Sequence, residues 1–150
     1  MQLASISFSK GSDMTTTIRV TLLAAALWFG AAPFCAAEIV VIVNPKNQAS
    51  RMFSEQAAQF FIGKSTLFTP VEHNEGSAIR NEFNTKVLGK DSAQVKSIWS
   101  KLVFTGKGTA PKEYASSAEV KKAVAGDVSA IGYIEKSAVD DSVKVILTVP

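Results

Sequence analysis

The run Ile39-Val40-Val41-Ile42-Val43 constrains this chain more than any other segment. Five β-branched residues in a row favour an extended backbone over a helix. No polar residue alternates with them, so neither face of the strand is built to meet water. The expected setting is a strand covered on both sides, as in a parallel sheet with helices on its two faces. Asn44-Pro45-Lys46-Asn47 then ends the run in a turn.

Segments able to cover such a strand follow directly. Ser54 can cap a helix through Ile62, with Ala57, Ala58, Phe61 and Ile62 at helical spacing and Gly63 as its stop. An extended piece, Pro70-Val71-Glu72-His73, leads into the turn Asn74-Glu75-Gly76-Ser77. A second helix carries Ile79, Phe83 and Val87 on one face and ends at Gly89. Asp91 caps a third, where Val95, Ile98, Trp99 and Leu102 recur at i, i+3, i+4 and i+7. After the glycine-rich loop Thr105–Pro111, Ser116 and Glu119 form a capping box for a fourth helix reaching Ala125. Ala130–Ile134 and Val143–Leu147 read as strands. The expected class is α/β: a small mixed or parallel sheet of three or four strands flanked by four helices.

The segment before residue 38 has the three parts of a secretory signal. Arg19 is the basic start, with Met14 as an alternative initiator; Val20–Phe34 is apolar apart from Thr21; Cys35-Ala36-Ala37 places small residues at a cleavage site. The apolar run falls short of the ~20 residues a spanning helix needs. Phe34 and Ala32 do not suit a lipidation box around Cys35, so cleavage after Ala37 is expected over a lipoprotein anchor. The expected division is a signal over residues 1–37 and a periplasmic domain over residues 38–150, enough for one core.

That division removes much chemistry. The chain carries +3 at neutral pH, and losing Lys10, Asp13 and Arg19 with the signal leaves +2, too small an excess to point to nucleic acid or a membrane surface. Cys35, the only cysteine, goes with the signal, so the domain offers no disulfide, thiolate metal site or thiol nucleophile. A single histidine, His73, argues against a His-based zinc site and serves better as a strand-end histidine than as a general base. Asp140-Asp141 reads as a turn. Gly63-Lys64-Ser65 imitates the end of a P-loop, but position 58 is Ala58 where that motif needs glycine. No enzyme and no cofactor is expected.

Val43-Asn44-Pro45-Lys46-Asn47, Phe60-Phe61-Ile62-Gly63-Lys64, the Glu75-Gly76-Ser77 turn and Ala130-Ile131-Gly132-Tyr133-Ile134 occur in an order and spacing that resembles the phosphate-binding protein of the phosphate ABC transporter, within the type 2 periplasmic binding proteins. The resemblance covers nearly all of residues 39–148. It implies a periplasmic solute-binding fold, phosphate or a related small oxyanion as ligand, and an ABC transporter as partner. Members of that family have two lobes and are more than twice as long, so this chain resembles one lobe with its return strand. Where the family carries Arg-x-Asp-x-Ser-Gly-Thr, this chain has His73, Asn74, Glu75, Gly76, Ser77, Ala78 and Ile79. Ser77 is kept and Glu75 is an acidic match; a histidine replaces the arginine and Ile79 replaces the threonine.

The residues also suggest an anion site without the resemblance. Backbone N–H groups of Gly76, Ser77 and Ala78 are expected to lie unpaired at a helix start, with the positive end of the helix dipole behind them. Ser77 adds a hydroxyl, and Arg80 can make a two-point contact with an oxyanion. Equally, Ser77 can be no more than an N-cap and Arg80 a solvated helix residue. Lys107, between Gly106 and Gly108, is either a supporting cation or part of a flexible helix exit. Two functions follow as expectations: weak to moderate oxyanion binding in phosphate uptake or sensing, or an interaction module that has lost its ligand and contacts an envelope protein or a second copy of itself.

Overall fold

The computed structural model of the chain describes residues 37–150. Residues 1–36, which hold all but the last residue of the expected export signal together with Cys35, lie outside the described residues. Five strands form one sheet: β1 (Ile39–Val43), β2 (Thr69–His73), β3 (Lys112–Tyr114), β4 (Ala130–Glu135) and β5 (Lys144–Val149). Four helices accompany them: α1 (Ser54–Phe61), α2 (Ala78–Phe83), α3 (Ser92–Phe104) and α4 (Ser117–Gly126). The class is α/β, as the sequence indicates.

The sheet order is β3-β2-β4-β1-β5. β1 is buried along its whole length, but it runs antiparallel to both neighbours, with Ile39 opposite Glu135 of β4 and opposite Val149 of β5. β2 runs parallel to β3 and to β4. The sheet is therefore mixed, and the parallel setting expected for β1 is corrected. An unbroken apolar run reports that both faces are covered; it carries no information on strand direction.

Those two faces hold two cores. Ile39, Val41 and Val43 meet Phe60, Phe61, Phe83 and Tyr133 on one side. Val40 and Ile42 meet Val120, Val124 and Ile134 on the other, beneath α4. On the first side Tyr133 stacks on Phe83 at 3.9 Å and meets Phe61 edge-on at 5.5 Å, geometries that add to simple burial. α4 reaches β4 through Gly132: a Cβ there would stand 2.9 Å from both Val120 Cγ1 and Val71 Cγ2. α3 docks through Trp99, whose indole N–H donates to the Phe61 carbonyl at 2.9 Å.

Three local expectations change. The first helix is capped at position 53, where Gln56 Oε1 accepts from the Phe53 N–H at 3.0 Å, and Ser54 is its first helical residue. The second helix is not uniform: α2 gives way to a π-helical turn, Asn84–Leu88, before Gly89 ends it at φ 61°. Phe83 and Val87 remain on the buried side. β3, three residues with no apolar pattern, has no counterpart in the sequence reading. Asp91 caps α3 as expected, accepting from the Gln94 N–H at 2.8 Å.

Candidate functional site

Because β2, β3 and β4 are parallel, their C-terminal ends share one edge of the sheet. The helices that follow β2 and β3 start at that edge, where ligands of open α/β sheets gather. A depression of about 450 Å³ lies there. His73, Ser77, Ala78 and Ile79 line it from the β2–α2 junction, Ser116, Ser117 and Ala118 from the start of α4, and Glu135 from the end of β4.

Ser77 is the most informative of these residues. It occupies the N-cap position of α2 with extended backbone (φ −67°, ψ 143°), yet its side chain makes no capping bond. Its hydroxyl oxygen is buried and has no hydrogen-bond partner among the described residues. Native side chains rarely leave a buried hydroxyl unpaired, because the lost solvation goes uncompensated. The Ser77 N–H donates to the Asn74 carbonyl at 3.2 Å, so that amide, expected to be free, is spent on the turn. Gly76 makes the turn possible at φ 83°, a left-handed conformation that other residues adopt only with strain. The donors left over at α2 are the first-turn N–H groups of Ala78, Ile79 and Arg80.

The start of α4 supplies a second set. Ser116 Oγ accepts from the Glu119 N–H at 3.3 Å, and the Glu119 carboxylate accepts from the Ala115 N–H at 2.8 Å, one residue ahead of the expected box. Ser117 and Ala118 then begin the helix with unpaired N–H groups directed out of its end. The sequence identified this cap but gave no sign that it stands beside Ser77. Only the parallel pairing of β2 and β3 brings the two helix starts together.

His73 forms the buried base of the depression. Its Nε2 lies 3.0 Å from the Tyr133 carbonyl; a carbonyl can only accept, so Nε2 carries the proton. Burial holds the imidazole below its ordinary pKa, opposed by that hydrogen bond. A neutral ring leaves Nδ1 as an acceptor. Glu135 was not anticipated, and it is the only charged side chain among the described residues that line the depression.

Arg80 lies elsewhere. It is 7 % exposed, with Nη1 2.6 Å from Glu113 Oε1 and 2.9 Å from the His73 carbonyl. Nη2 stands 2.8 Å from Glu72 Oε2. Burial works against the guanidinium charge, but Glu72 and Glu113 together hold its pKa above the ordinary value. Glu72, fully buried on β2, is pushed up to about 7 by that burial, with Arg80 pulling the other way. Burial and the nearby Glu72 also raise the Tyr133 phenol. Arg80 thus ties α2 to β2 and β3. Glu75 is similarly engaged, 3.1 Å from Lys96. Lys107 lies exposed in the loop after α3 and is not among the residues that line the depression. The structure brings Ser77 and Ala78 together there, and Arg80 and Lys107 not. Among the described residues no group of His, Cys, Asp and Glu is arranged to hold a metal ion.

No protein-family model matches the sequence, and no curated protein matches it. Solved structures share the fold. A Clostridium perfringens protein assigned as a phosphate ABC transporter substrate-binding protein, solved with bound phosphate, aligns with a TM-score of 0.61 at 24 % identity, over 73 % of this chain and 44 % of its own. An ABC-type phosphate transport receptor from Vibrio cholerae gives 0.58 at 18 % identity, over 73 % and 45 %. PstS from Borrelia burgdorferi gives 0.57 at 12 % identity, over 73 % and 46 %. The chain spans less than half the length of each. At these identities the likeness establishes the fold, that of a single lobe of such binding proteins.

Proposed function

We propose that the chain is an exported solute-binding protein that takes phosphate or a related small oxyanion in the depression between α2 and α4. The observation that carries this reading is the Ser77 hydroxyl: buried, unpartnered, and set where two helix starts meet. The ligand would accept hydrogen bonds from Ser77 Oγ and from the amides of Ala78, Ser117 and Ala118, with both helix dipoles favouring negative charge. Gly76 serves by making the turn rather than by donating. The fold shared with phosphate-binding structures supports the ligand class. The export reading rests on residues 1–37, and delivery to an ABC transporter is the corresponding partner.

Glu135 refines the ligand. A carboxylate at the site repels a fully deprotonated anion but can accept a proton-bearing oxygen. Phosphate carries such an oxygen near neutral pH and sulfate does not. Calorimetric titration tests this: saturable heat with phosphate at millimolar concentration, and much less with sulfate, is expected. No heat with either anion sinks the proposal.

Two observations favour a second reading, an interaction module contacting an envelope protein or a second copy. No lysine or arginine is among the described residues that line the depression, and Ile79 presents hydrocarbon to it. Sedimentation separates the two: self-association without any phosphate heat would support the module.

A further inference from the structure

A second cavity, of about 390 Å³, lies on the opposite flank of α2 and shares no lining residue with the depression. Trp99, Val103 and Phe104 of α3 form its apolar wall, facing Pro111 ahead of β3. Phe104 is 92 % exposed and Val103 49 %, so α3 ends in apolar side chains with little packed on them. The volume falls in the range of small-molecule sites, roughly 300–1,000 Å³.

The charges around this cavity select against ions. Lys96 pairs with Glu75 at 3.1 Å, and Arg80 with Glu113 at 2.6 Å. All four groups line the cavity, and each cation there already faces a carboxylate. An ionic ligand would have to break one of these pairs to find a partner. Complementarity therefore points to an uncharged occupant. The Trp99 N–H is already committed to Phe61 and the residue is 7 % exposed, so Trp99 closes the inner end of the wall while Val103 and Phe104 supply most of its open apolar surface.

We infer that this cavity binds a small uncharged aromatic molecule, held by ring contacts with Trp99, Val103 and Phe104. The inference does not depend on the oxyanion reading, since the two sites share no residue.

The test uses the full chain carrying Trp28→Phe, which makes Trp99 the sole tryptophan, and N-phenyl-1-naphthylamine as an uncharged aromatic probe. Saturable one-to-one binding is expected, with Trp99 emission quenched by energy transfer to the probe. Val103→Glu, which adds an unpaired carboxylate to an exposed wall position, should weaken binding at least tenfold. Phe104→Ser, at a side chain too exposed to matter for folding, should weaken it severalfold. Leu67→Glu, at an apolar residue 81 % exposed and outside the cavity, should leave it unchanged. Absence of saturable binding overturns the inference. So does binding that ignores Val103→Glu and Phe104→Ser, or that falls equally with Leu67→Glu.

Discussion

Helix α2 has a different environment at Ser77 than at Arg80, three residues later. At Ser77 the helix start is open, its lining is mostly neutral, and a buried hydroxyl has no partner among the described residues. At Arg80 the guanidinium is enclosed between two carboxylates and a backbone carbonyl. Arg80 looks like the stronger anion ligand by residue type, yet its charge is already used within the fold. The weaker group, a serine hydroxyl, is the one left available. A site on this scaffold is therefore better sought among donors without partners than among the residues of greatest charge.

The largest effect should come from breaking the closed region. Arg80→Met would leave Glu72 and Glu113 without their shared cation, at a cost approaching about 3–5 kcal/mol at a pH well above 7, where the buried Glu72 carboxyl is ionised. Urea unfolding would measure it. A loss below ~1 kcal/mol, typical of exposed ion pairs, would show that Arg80 is not enclosed.

Glu72 sharpens the same contrast through pH. Burial raises its folded pKa from 4.5 to about 7, so the folded state holds the proton more tightly than the unfolded chain. Its contribution to stability is complete below pH 4.5 and is lost as pH rises through about 7. Glu72→Gln should therefore gain on the parent across that window, by an amount on the order of 2–3 kcal/mol. His73, held low by burial, loses stability in the opposite direction, as pH falls, and cancels when the two proteins are compared. A Glu72→Gln protein that instead loses ground as pH rises would mean that pairing with Arg80 outweighs burial.

Smaller effects are expected in the open region. Gly76→Ala would force a Cβ into a left-handed turn with nothing within 4 Å of it, so the cost is backbone strain alone, about 1 kcal/mol. Ser77→Ala removes a buried hydroxyl that has no partner among the described residues, and the ligand-free protein should gain about 1 kcal/mol as that uncompensated burial is relieved. Its phosphate affinity should nevertheless fall about tenfold or more, as expected for a lost hydrogen bond to a charged group.

The legible parts of the sequence were those with local causes. Ile39–Val43 announced two-sided burial, and Asp91 and Ser116 announced helix starts, because each depends on neighbours within a few positions. Strand direction in β1, the pairing of β3, and the enclosure of Arg80 depend on contacts with distant segments. Glu113 meets Arg80 only because β3 joins the edge of the sheet. One signal for that enclosure was present: Glu72 sits inside a strand beside Val71, and a carboxylate directed into a covered sheet requires a cation. The site divides in the same way. Ser77 and Ala78 could be named from the turn that precedes them, whereas Ser117, Ala118 and Glu135 join them only through sheet topology.

The contrast between Ser77 and Arg80 is tested most directly by following backbone amide resonances during a phosphate titration. Binding in the depression predicts saturable shifts concentrated at Ala78, Ile79, Ser117 and Ala118, with little change at Lys107 and Trp99. Shifts centred on Lys107, or no saturable shift at millimolar phosphate, would contradict it.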